Sequence, residues 1–210
     1  MNLDPDNWDP LPVDELAGIF HQIPIPWWIA GGVALDLFVG RTTRPHDDID
    51  VLVLRRDQLV VQEHLRDWHL FKTQAPAWPH LAPWPRGELL DLPVCDIWAR
   101  RELCDGPWRF QIMLMEAEGD RWVYRRLRSI GGRISDLGLV SEAGIPYLRP
   151  EIQLLYKSPT GRPKDTRDLM EVLPHLPREG AERLLHHLRE QDPEGHPWIP
   201  AIEERLRATR

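Results

Sequence analysis

Apolar residues recur at helical spacing from Val13 to Ile23, through Leu16, Ala17, Ile19 and Phe20, and the pattern stops at Pro24 and Pro26. A 3.6-residue period closed by proline predicts a first amphipathic helix. Trp27 to Ala30 is a short apolar run, Gly31-Gly32 breaks it, and Val33 to Val39 resumes helical spacing. That succession predicts strand, glycine turn and helix. Ile49 to Leu54 reads as a β-branched strand with an acid inside it, Asp57 to Trp68 as a helix capped by Asp57, and His69 to Lys72 as a strand. Ala75 to Arg86 carries four prolines and two tryptophans, Trp78 and Trp84, without periodicity. It predicts a surface loop over a sheet, able to act as a lid or to stack on a ring, with tryptophans that simply cover a sheet edge as the commoner alternative. Val94 to Ala99, Arg109 to Glu116 and Trp122 to Arg125 have strand character, with turns at Asp105-Gly106-Pro107 and Glu118-Gly119-Asp120. Beyond Ile145 the texture becomes helical: Pro150 to Tyr156, Pro163 to Leu173, Glu179 to Glu190 and Trp198 to Arg207.

Length adds that the 210 residues suit one core with an appendage. We divide them into 1–145 and a helical subdomain, 146–210. With 42% hydrophobic and 28% charged residues, wholesale disorder is excluded. A formal net charge of -7 argues against a general polyanion binder. Cys95 and Cys104 form no C-x-x-C pattern, so neither a disulfide framework nor structural zinc is indicated, and a reducing cytoplasm is the expected location. Met1 to Pro12 does not read as a signal peptide. Ile23 to Val39, the most apolar stretch, is too short and too broken to span a membrane.

The segment richest in chemistry is Arg41-Thr-Thr-Arg-Pro-His-Asp-Asp-Ile-Asp. Asp48 and Asp50 stand two apart at the start of a strand, and alternation puts both carboxylates on one face. Two such acids repel unless a cation lies between them, which suits a divalent ion bound through oxygen, magnesium first. The plainer alternative is a solubilising loop that caps a strand. Gly31-Gly32, between strand and helix, would let backbone N–H groups approach phosphate at a helix N-terminus.

Gly31-Gly32 followed by the apolar-flanked Asp48-Ile49-Asp50-Val51 resembles the nucleotidyltransferase superfamily that shares a core with DNA polymerase beta. The wider wording, Trp28 to Asp36, Gly40-Arg41 and Arg44 to Asp50, is most similar to aminoglycoside nucleotidyltransferases that modify a 2″-hydroxyl. The resemblance implies an α+β fold, a mixed sheet flanked by helices with the helical subdomain behind it. It implies transfer of a nucleoside monophosphate, AMP from ATP first, to a hydroxyl of a small molecule such as an aminoglycoside-like antibiotic. Asp48 and Asp50 would hold Mg2+ on the triphosphate, and a third carboxylate would bind a second ion and activate the acceptor. Asp96, in Val94-Cys95-Asp96-Ile97-Trp98, suits that role better than Asp91, which precedes Pro93, although the Glu88-Leu-Leu-Asp91 wording keeps Asp91 open. Arg41 and Arg44 are candidate cations, with a surface ion pair to Asp36 or Asp47 as the alternative. His46 could orient Asp48, contact phosphate, or make a loop hydrogen bond. Lys157 and Lys164 are candidate phosphate contacts, while Asp165 and Asp168 read as structural. Two other readings stay open. One is a toxin-type enzyme acting on tRNA, supported by the basic stretch Arg121, Arg125, Arg126, Arg128 and Arg133. The other is a non-catalytic nucleotide-binding module.

Overall fold

The computed structural model describes residues 3–74 and 80–208. It begins with α1 (Val13–Phe20), β1 (Trp27–Ala30), α2 (Gly31–Val39), β2 (Asp50–Leu54), α3 (Gln58–His64) and β3 (His69–Gln74). There follow β4 (His80–Pro83), β5 (Asp96–Arg100), β6 (Phe110–Glu118), β7 (Arg121–Val123), β8 (Gly131–Arg133), β9 (Gly138–Val140) and β10 (Pro146–Leu148). The chain closes with α4 (Pro150–Lys157), α5 (Pro163–Val172), α6 (Arg178–Gln191) and α7 (Ile199–Ala208). The expected α+β class holds.

One sheet runs β4-β3-β5-β6-β2-β1-β10-β9, with β7 and β8 continuing from β6. β2 lies at its centre, antiparallel to β1 and parallel to β6. All five of its residues are buried, which is why it reads as an unbroken apolar run after its leading acid. Val51 and Val53 join a core with Leu16 and Phe20 of α1 and Val61 of α3. Leu52 and Leu54, on the opposite face, join a second core with Leu154, Leu169, Leu184 and Ile202 from α4 to α7. α2 feeds both cores, through Ala34 and Leu35. Proline stands in the first turn of α4 and of α5, where its missing N–H costs nothing.

The structure departs from the sequence reading in several places. β4 occupies part of the segment expected to be an irregular loop, pairing Phe71 with Pro83 and Thr73 with Leu81. Trp78 lies outside the described residues. Trp84 is buried and donates its indole N–H to the Glu88 carbonyl, so of the two roles open to it, covering the sheet and not stacking on a ring is the one it takes. Asp57 caps no helix by side chain, and α3 stops at His64. The three-residue strands β8, β9 and β10 carry too little periodicity to announce themselves, yet β10 pairs Tyr147 with Ile29 in the main sheet.

Candidate active site

The site forms where β1 turns into α2. Gly31 opens the helix at φ +68°, a left-handed conformation that favours glycine, and a Cβ there would collide with the Asp50 carboxylate. A Cβ on Gly32 would collide with the His46 ring and the Arg44 guanidinium. The two glycines therefore make room for the acidic loop to lie against the helix start. The Gly31 N–H is already used, donating to Oε1 of Gln153 at 2.8 Å. The N–H groups left at the open first turn are those of Gly32 and the residues after it.

Strand register puts the other acids in place. Asp50 lies opposite Gln111 of β6, which lies opposite Trp98 of β5. Asp96, two residues before Trp98, shares their face. Gln111 donates from Nε2 to Asp96 Oδ1 at 3.0 Å, so its amide stands between the two carboxylates. Asp48 precedes the strand, half-buried at the end of the loop. Asp91 is exposed in the turn before β5 and accepts the Val94 N–H through its backbone carbonyl.

Electrostatics at this face are unbalanced. Burial, and then the charge of Asp48, push the Asp50 carboxyl well above the ordinary carboxylate range. Lys157 and Lys164 oppose that shift, and Asp96 adds to it. Burial also raises Asp96, against the charges of Arg125, Arg126 and Arg55 and the Gln111 hydrogen bond. Among the described residues Asp48 and Asp50 have no hydrogen-bond donor on their carboxylates. A nearly buried carboxylate beside a like charge and without a donor is the donor set a hard cation takes. No three His, Cys, Asp or Glu side chains among the described residues come close enough to hold an ion by themselves. The pair of acids would therefore share an ion with phosphate and water oxygens, the usual magnesium arrangement.

The nominated cations divide sharply. Arg44 forks onto Asp168, at 2.8 and 3.1 Å, and Arg41 pairs with Glu171 at 2.6 Å, so neither takes Asp36 or Asp47. Asp36 holds His46 Nε2 at 2.7 Å and the Thr43 hydroxyl at 2.6 Å, so His46 makes the loop hydrogen bond. Lys157 is buried between Asp168, 2.9 Å away, and Asp165, at 3.3 Å. Lys164 is half-buried and forms no ion pair among the described residues. Asp168, one helical turn after Lys164, takes Arg44 and Lys157 instead.

Three positioning residues escaped the sequence reading. Gln153 and Gln111 had no motif to mark them. Arg55 ties the end of β2 to the approach of β5 by donating to the carbonyls of Leu90 at 3.0 Å and Val94 at 2.7 Å, while pairing with Glu116. Its cue was an arginine directly after an apolar strand. Within the basic stretch, Arg121 donates to the Ser129 carbonyl and Arg128 pairs with Glu118. Arg125 instead reaches Cys95 and the neighbourhood of Asp96.

A family model described as aminoglycoside-2″-adenylyltransferase matches residues 13–79. Among nine matching solved chains is the lincosamide antibiotic adenylyltransferase LnuA with lincomycin bound. That chain is 17% identical with a TM-score of 0.53, over 79% of this chain and 97% of that one. The antibiotic-resistance factor ANT(2″)-Ia is 15% identical with a TM-score of 0.49, over 94% and 96%. An antigenic nucleotidyltransferase-like protein from Paracoccidioides brasiliensis is 16% identical with a TM-score of 0.46, over 93% and 90%. Comparison with curated protein sequences gave no match. The chain is thus a nucleotidyltransferase in fold and, over residues 13–79, similar to the aminoglycoside-2″-adenylyltransferase family.

Proposed function

We propose that this nucleotidyltransferase-fold chain is an enzyme that moves a nucleoside monophosphate, AMP from ATP first, onto a hydroxyl of a small antibiotic-like molecule. The observation that carries the reading is the Asp48/Asp50 pair against the open first turn of α2, with Asp50 buried and lacking any donor among the described residues. Asp48 and Asp50 would hold magnesium, which neutralises phosphate charge when bound. The Gly32 N–H end of α2 favours a phosphate oxygen next to them. Asp96, oriented by Gln111, would take the proton of the acceptor hydroxyl, and its raised affinity for a proton makes it a stronger base than an ordinary carboxylate. Lys164 would supply positive charge toward Asp50, whereas Arg44 and Lys157 position α5 against the acidic loop.

Wild type and Asp48→Ala, incubated with magnesium, α-labelled ATP, CTP, GTP or UTP, an antibiotic panel and total tRNA, test the reading. We expect label on a small acceptor, falling at least a thousandfold in the variant, a loss of about 4 kcal/mol in barrier lowering. Label on tRNA would replace the small-molecule acceptor with an RNA end. Absence of transfer to anything would leave a nucleotide-binding module.

A further inference from the structure

The end of the acid face that lies away from α2 is cationic. Along the sheet order β5-β6-β2-β1, Asp96 stands two strands from Asp50, roughly 10 Å at the usual strand spacing, and α2 opens one strand farther on, after β1. The turn that follows β7 crosses to the Asp96 end and brings Arg125 and Arg126 with it. A cavity of about 10 Å³, room for one water, has Asp96, Met113, Arg125 and Tyr156 in its wall, so Arg125 reaches the immediate surroundings of the carboxylate.

Neither arginine is spent within the protein. Arg125 donates to the sulfur of Cys95, a weak acceptor that Arg55 already engages at 3.4 Å. Arg126 is exposed, and its hydrogen bonds to the Tyr124 hydroxyl and the Tyr156 carbonyl are long, at 3.4 and 3.5 Å. Among the described residues neither forms an ion pair, whereas Arg128 of the same stretch is held by Glu118. Burial raises the Asp96 carboxyl, and Arg125 and Arg126 are the leading charges that oppose it, so both guanidinium fields converge there. A polycation approaching Asp96 would meet two like charges, while an oxyanion would meet two forks of N–H donors. Nucleotide phosphates lying on the open turn of α2 would sit at the other end of the strand row, which leaves these arginines to the acceptor.

We propose that Arg125 and Arg126 form an oxyanion site, and that the acceptor is a small hydroxyl compound carrying a phosphate or carboxylate that these guanidiniums grip while its hydroxyl lies at Asp96. This rests on the nucleotidyl-transfer reading and narrows its acceptor. In the transfer the hydroxyl oxygen bonds to the α-phosphorus, the bond to the departing pyrophosphate breaks, and the hydroxyl proton passes to Asp96. Glucose 6-phosphate, gluconate and glucose offer hydroxyls with a phosphate, a carboxylate or no charge. Each is titrated calorimetrically into the full chain, with and without magnesium and α,β-methylene-ATP, and is then offered with magnesium and labelled ATP. One or both anions should bind at least about tenfold tighter than glucose and accept label. Arg125→Met, and Arg126→Met at an exposed position that should fold, should each remove about tenfold of that advantage and move the Kd of the nucleotide analogue by no more than about twofold. Glucose binding as well as both anions, or failure of both anions to bind, overturns the proposal. So does a loss that falls on the nucleotide analogue instead of the anion, which would assign the arginines to the donor phosphates. Label on tRNA that depends on Arg126 would replace the small acceptor with an RNA backbone and overturn it too. Anion binding that is sensitive to Arg126→Met, with label on no acceptor, supports the oxyanion site and overturns the transfer reading instead.

Discussion

Asp50 occupies a position that stability alone would not choose. It is the first residue of the central strand, nearly buried against Gly31, beside the charge of Asp48 and without a donor among the described residues. Its folded-state pKa lies above the unfolded value of about 3.9, so the folded chain holds the proton more tightly. Stability is therefore lost as pH rises from about 4 through the raised folded value. Asp50→Asn removes this liability together with the proposed ion ligand. Without magnesium the variant should melt about 2–4 °C above wild type at pH 7, the equivalent of about 1 kcal/mol in a chain of this size. Magnesium should raise the melting temperature of wild type and leave the variant unmoved, and transfer should fall to background. A variant that melts lower than wild type without magnesium would show that the ionised carboxylate is already satisfied by the protein. Gly31 belongs to the same argument, because its left-handed φ and missing Cβ are what let the carboxylate lie there.

At the scale of elements, the junction of α4 and α5 is a clamp. Lys157 ends α4, Asp165 and Asp168 face it from α5, and Arg44 reaches Asp168 from the acidic loop, so two helices and the loop meet on buried charges. Burial would raise both carboxyls, but hydrogen bonds from Arg162 and Thr160 to Asp165, and from Arg44 to Asp168, together with the Lys157 charge, hold both below the usual range. Their stabilisation is present above the unfolded pKa of about 3.9 and is lost as pH falls through the lower folded values. Asp168→Ala strands Arg44 and leaves Lys157 with Asp165 alone, and should cost about 3–5 kcal/mol in urea unfolding at pH 7, a difference that shrinks as pH falls below about 4. A cost below about 1 kcal/mol would mean that Arg44 and Lys157 find other partners. The sequence displayed every member of this clamp but not its pairing, since i,i+4 spacing would join Lys164 to Asp168 while Arg44 meets Asp168 across 124 positions. Legibility follows range throughout. Gly31-Gly32, Asp48-x-Asp50 and the longer periodic helices could be read locally. Gln111 could not be found beside Asp96, nor Gln153 beside Gly31, because register and helix docking bring them together. β8 to β10 are too short to show alternation.

Over the whole molecule, the division into residues 1–145 and 146–210 meets a shared interior. β10, just past the proposed boundary, pairs with β1 and β9 in the main sheet. The core behind the sheet joins Trp28, Leu52 and Leu54 to Leu154, Leu169, Val172, Leu184 and Trp198, all 8% exposed or less. Removing the helices would open that entire face of β1 and β2 to water, and each Leu-sized side chain so exposed forfeits about 1.5–3 kcal/mol. A chain with a typical net stability of about 5–15 kcal/mol cannot absorb several such losses. The helical part therefore should not melt separately. Urea unfolding of a Trp198→Phe variant followed by far-ultraviolet circular dichroism, which weights α4 to α7, and by tryptophan fluorescence, to which Trp28, Trp84 and Trp108 of the sheet then contribute without the buried tryptophan of the helical part, should give coincident transitions. A fragment of residues 1–145 should show no cooperative transition. Loss of helix signal at lower urea than the fluorescence change would instead establish residues 146–210 as an independent unit and detach Lys157 and Lys164 from the stability of the acidic site.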